Sequence, residues 1–86
     1  MNRARRKILM DASKLLQEAE EKLLEAKEML QTAMEEEQEA FDSLPEGLQE
    51  SEKGEQMSQN IDDLEEIIDY LEEFDISDYT TSLDEM

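Results

Sequence analysis

Between Leu9 and Leu44 the positions 9, 12, 16, 19, 23, 26, 30, 33, 37, 40 and 44 follow one another in alternating steps of three and four. A strand, whose side chains repeat every two residues, gains nothing from that spacing, whereas an α-helix gathers all of it on one face. Leu9, Leu16, Leu23, Leu30 and Leu44 occupy the a positions of this heptad seam, with Glu37 the one exception, and Ala12, Ala19, Ala26, Ala33 and Ala40 occupy every d position. Alanine at d removes the bulk that keeps helix axes 8–10 Å apart, so the seam predicts a close, antiparallel helix–helix contact. Ile8, Leu15 and Met29 at g, with Met34 and Phe41 at e, widen it into a stripe able to face more than one neighbour. Glu37 either marks where the helix leaves its packed face or pairs with a cation across an oligomer, because an unpartnered buried carboxylate is costly.

Composition restricts the rest of the chain to the same class. Ala, Glu, Lys, Leu and Arg supply 43 of the 86 residues and valine is absent, which selects an all-α fold. Pro45 disfavours helical geometry at Leu44, so helix 1 is expected over about 3–43. The connector Ser43–Ser51 is expected to hold a single turn, with Ser43 and Glu46 at capping-box spacing and Gly47 supplying a positive φ. A second seam, Met57, Ile61, Leu64, Ile68 and Leu71, places helix 2 over about 51–74, with Ser51 as its N-cap and Ile67 and Phe74 beside it.

The two helices form residues 1–74 into one long antiparallel helical hairpin, followed by a short acidic tail, 75–86. At 1.5 Å per residue helix 1 is roughly 60 Å long and helix 2 roughly 36 Å, so a hairpin alone leaves Ile8, Leu9, Leu15 and Leu16 uncovered. That overhang favours a homodimer or higher oligomer, a four-helix bundle whose interface uses Leu9, Ala12, Leu16, Ala19, Leu23, Ala26 and Leu30. The tail is expected to be loosely ordered or docked only in the oligomer, its folding back over the overhang being the lesser expectation.

Charge divides the chain into unlike parts. Residues 1–34 are nearly balanced, whereas residues 35–86 carry twenty acidic side chains and a single cation, Lys53. On helix 2 the outward positions are Asp62, Asp63, Glu65, Glu66, Asp69, Glu72 and Glu73, interrupted only by Tyr70. Interleaved Glu–Lys pairs at i, i+4 stabilise a helix by about 0.2–0.5 kcal/mol each and like pairs cost a similar amount, yet this surface contains no lysine. Two readings follow. The array either binds a basic protein surface by presenting negative charge as nucleic-acid phosphates do, or it keeps a structural oligomer in solution.

At the other end, Arg3, Arg5, Arg6 and Lys7 oppose the helix dipole and call for an anion. Acidic residues of a second copy are the first expectation; a phosphorylated small ligand held by arginines from several subunits is a weaker one. The net charge of −18 opposes direct binding to nucleic acid or to a membrane surface. With no Cys, no His and two glycines, the sequence offers no thiol nucleophile, imidazole base, phosphate loop or calcium loop, so the expectation is a protein without enzymatic activity, cofactor or metal. Neither a transmembrane span nor a secretion signal is expected, the basic opening leading into only Ile8–Met10 before Asp11, and the expected location is cytoplasmic.

The run Glu35–Met57 with its connector Phe41–Met57, the following Ile61–Ile68 segment and the basic start together resemble small acidic helical-hairpin proteins of phages and mobile elements in Gram-positive bacteria. The resemblance covers most of residues 1–74 and excludes the tail. It implies a setting, an accessory phage-type protein of the kind that blocks host defence or nucleic-acid enzymes by occupying a basic site, and it assigns no individual residue.

Overall fold

The computed structural model describes all 86 residues as four helices and no strand: α1 (Arg3–Asp42), α2 (Glu46–Gln49), α3 (Glu52–Glu73) and α4 (Ser77–Glu85). The molecule is a rod two helices thick, 68 × 15 × 14 Å across its Cα atoms. Asn2 starts α1, its Oδ1 accepting from the Arg5 amide at 2.8 Å. The helix ends at Asp42, where the Leu44–Pro45 step makes continuation unfavourable.

The connector is held differently from the expectation. Ser43 does not cap α2; its hydroxyl donates back to the Glu39 carbonyl at 2.8 Å, and α2 starts at Pro45 without a side-chain cap. No glycine has a positive φ, so Gly47 does not end the turn by a left-handed residue. Gln49 takes that task. Its Nε2 donates to the carbonyls of Phe41 and Leu44, both at 3.2 Å, the first of which also accepts from the Leu44 amide, and so ties α2 to the end of α1. Ser51 caps α3 as expected, accepting from the Gly54 amide at 3.4 Å while donating to the Leu48 carbonyl.

Gly54 is buried in the first turn of α3 because the α2 backbone passes directly over it. A Cβ there would lie 2.6 Å from the Leu48 carbonyl oxygen and closer still to Gln49. The glycine allows a close approach of backbones rather than an unusual dihedral.

α3 packs along the carboxyl-terminal half of α1, with Met57 and Ile68 the two buried apolar side chains. The α1 seam is rotated from the a/d row read in the sequence. Half-buried side chains on α1 include Leu9, Glu20, Leu23, Lys27, Leu30, Met34, Glu37 and Phe41, with Ser13 buried completely and Leu44 half-buried just past the helix end. These are a and e positions, whereas Ala19, Ala26, Ala33 and Ala40 at d face solvent. Burial explains the rotation: a stripe containing Met34 and Phe41 removes more apolar area from water than one of alanines. Toward the middle of α1, Glu20 and Lys27 take the same row and are half-buried, as their apolar stems allow while the charges reach water. Glu37 therefore stays in the packed stripe, at its half-exposed edge.

The tail differs most from expectation. Residues 77–85 form α4, which packs on the same chain's α1 as a continuation of α3. Its Thr80 is buried and Ile76 and Leu83 are half-buried. The overhang is thus partly covered by the chain's own tail: Leu9 is half-buried, while Leu16, near the break between α3 and α4, is 40% exposed.

Candidate protein-binding surface

Asp62, Asp63, Glu65, Glu66, Asp69, Tyr70, Glu72 and Glu73 are all exposed on α3, as the outward positions of its seam require. Asp62, Asp63, Glu65, Glu66 and Asp69 line one shallow groove with Gln59. By their spacing Glu72 continues the side of Glu65 and Asp69, Glu73 that of Glu66, and Tyr70 lies on the flank of Asp63 and Ile67. Asp63 is braced by Gln59, whose Nε2 donates to its Oδ1 at 2.9 Å.

The hairpin adds carboxylates that α3 alone does not reveal. One shallow groove brings Glu65 beside Glu35 and Glu39 of α1, with Met34, Gln38 and Ile61 between them. A second, nearer the α3 terminus, places Glu72 with Glu20 and Glu21 around Leu23, Leu24, Leu71 and Phe74, and here Lys27 is the only cation. Both grooves lie on the same side of the rod, because each is lined by the b-position residues of the α1 heptads, Gln17 and Leu24 in one and Gln38 in the other. That side is a two-helix acidic face. The signal in the sequence was the glutamate series at the outer positions of α1, legible as part of the face only once the register of α1 against α3 is known.

The opposite side has a different chemistry. It carries the d and g positions of α1: the exposed Ile8, Leu15 and Met29, at 66, 65 and 73% exposure, with Ala19, Ala26 and Ala33 between them. Tyr70 and Ile67 of α3 border it, both exposed. Of the expected interface residues, Leu9, Leu23 and Leu30 are half-buried inside the hairpin with Ala12, and Leu16, Ala19 and Ala26 remain exposed.

The four cations Arg3, Arg5, Arg6 and Lys7 are exposed, and the one ion pair within the chain is Lys22 with Glu25, at 3.7 Å on the surface. No three carboxylates converge closely enough to hold a metal ion, and no helix is long and apolar enough to cross a membrane. At Asp75, hydrogen bonds from the Ser77 side chain and from the Ser77 backbone N–H hold the carboxyl below its ordinary value. The hydrogen bond from the Ser77 N–H to Asp75 Oδ1 is 2.9 Å long and closes a turn just before α4, whose N-cap, Ile76, has no side-chain cap; this turn was not expected from the sequence. Compared with family models, with curated proteins and with solved structures, the chain matches none.

Proposed function

We propose that this is a non-enzymatic protein-binding module whose acidic face occupies a basic site on a nucleic-acid-binding or defence protein, in the manner of a DNA mimic. The observation that carries the reading is the joint face built by α3 and α1, in which Glu65 lies beside Glu35 and Glu39, and Glu72 beside Glu20 and Glu21. A rigid rod holds these carboxylates in place before the partner arrives, so little ordering cost opposes binding. With a net charge of −18 spread over 68 Å, one chain carries about one charge per 4 Å and two chains side by side about one per 2 Å, against about one per 1.7 Å of duplex axis. Association into a homodimer, with helices of both copies in one bundle, belongs to this reading because it brings the density to that of a duplex. The proposed setting is an accessory protein of a phage or mobile element acting in the cytoplasm.

Binding would be driven by charge complementarity and would weaken steeply with salt. The test is affinity capture of partner proteins at 50 and 500 mM salt with the native chain and with a variant carrying Asp62→Lys, Glu65→Lys, Asp69→Lys and Glu72→Lys. Loss of the captured partner at high salt and in the variant, with helicity retained, is the expected result. A partner retained equally under all four conditions would reject the acidic face as its site and favour the alternative, a structural oligomerisation module whose acidity serves solubility.

A further inference from the structure

We infer that the alanine face of α1 is the surface on which a second copy of this chain docks, and that the two α1 helices run antiparallel. The inference rests on the proposed self-association and specifies its surface and direction.

Three observations carry it. The first is the uncovered apolar side chains of Ile8, Leu15 and Met29, which lie on the flank away from both acidic grooves. An exposed apolar row of this length on a small rod marks an interaction surface. The second is its alternation, with alanine at every d and a longer side chain at every g. Antiparallel helices place g of one copy opposite d of the other, and a single register then seats Ile8 on Ala40, Leu15 on Ala33, Met29 on Ala19 and Lys22 on Ala26, a large residue against a small one at each step. Parallel chains would pair Leu15 with Leu15 and Ala19 with Ala19, alternately overfilling and emptying the contact.

The third observation is charge. The same antiparallel register sets the basic amino terminus of one copy, with Arg5 in the docking row itself, against the acidic carboxyl end of the other copy's α1, where Glu39 and Asp42 lie, and does so at both ends of the dimer. A parallel pairing would stack the four cations of one copy on those of the other. Only Lys22 and Glu36 are charged in the row from Ile8 to Ala40, so few carboxylates are desolvated and the acidic faces point outward.

Sedimentation tests association, and cysteines placed in this cysteine-free chain test direction. Leu15→Cys and Ala33→Cys chains, mixed and oxidised, should give a mixed disulfide as the main covalent dimer, while Leu15→Cys alone should give little. Ala19→Glu, which sets a carboxylate against Met29 of the other copy, should convert the dimer to a monomer at least tenfold more readily on dilution without loss of helicity, since Ala19 is exposed in the single chain. Leu15→Cys chains cross-linking chiefly to one another would overturn the antiparallel direction while leaving self-association standing. A native chain that sediments as a 10 kDa particle at every concentration would overturn both, and would leave the acidic-face reading to its own salt test.

Discussion

Ser13 of α1 donates its hydroxyl to the Thr80 carbonyl of α4 at 3.4 Å, joining residues 67 positions apart. Ser13 is 1% exposed, and Gln17 Nε2 donates to the same hydroxyl at 3.3 Å. A small hydroxyl at this point lets α4 lie close on α1. Ser13→Leu should force the helices apart and cost about 1–3 kcal/mol. Ser13→Ala, which keeps the space, should cost no more than about 1 kcal/mol. Hydrogen exchange separates the cases: in the Leu variant the amides of α4 should lose protection while those of α3 keep theirs.

Gly54→Ala opposes two rules. Intrinsic propensity favours alanine in a helix by about 1 kcal/mol. The close α2 backbone, with Leu48 O only 2.6 Å from the added methyl carbon, opposes it. Because that neighbour is backbone and cannot rotate aside, the substitution should destabilise by about 1–3 kcal/mol, read as a lower urea midpoint with an unchanged slope. Gly47→Ala meets nothing within 4 Å and should be neutral or slightly stabilising.

Asp75 gives the α4 contact a pH dependence of known sign. Its carboxyl is held below the ordinary value by Ser77, so the bond stabilises the docked helix above the unfolded carboxylate value of about 3.9 and is lost as pH falls through the lower folded value. Amides of Ser77–Thr81 should therefore lose protection in that acid range sooner than those of α3. Asp75→Ala should remove this step and loosen α4 already at neutral pH; an unchanged acid profile in that variant would rule the mechanism out.

Salt should stabilise the fold. The chain carries −18 with one surface ion pair, so screening relieves far more repulsion than attraction. Raising NaCl from 20 to 500 mM should lift the melting temperature by several degrees, each 1 kcal/mol corresponding to about 4–8 °C for a chain of this size. Charge reversal at Glu66 or Glu73 to Lys should raise it at low salt and reduce the response.

Much of the secondary structure was legible because its signals are local. The heptad steps set α1, Pro45 ended it, Ser51 capped α3, and the predicted bounds of 3–43 and 51–74 lie within a residue of Arg3–Asp42 and Glu52–Glu73. The connector was less legible. Its anchor, Gln49, acts through carbonyls five and eight residues away, and its tight point, Gly54, matters only because α2 crosses it. The α4 helix is marked by Asp75 before Ser77, a signal too short to distinguish a docked helix from a loose end. On the candidate surface, the α3 carboxylates could be placed outward from their spacing, but their alignment with Glu35, Glu39, Glu20 and Glu21 could not.

The sequence by itself determined that this chain is helical, where its long helices start and stop, and that its negative charge gathers in one part. Each of these depends on neighbours within a turn or two of helix. Only the tertiary structure decided which row of α1 is buried. Leucines at a could join a seam with the alanines at d or with Met34 and Phe41 at e, and the spacing of three and four is the same for both. The larger side chains bury more surface, so α3 takes the e side. That choice leaves the alanine row, and the apolar residues beside it, facing away from the acid.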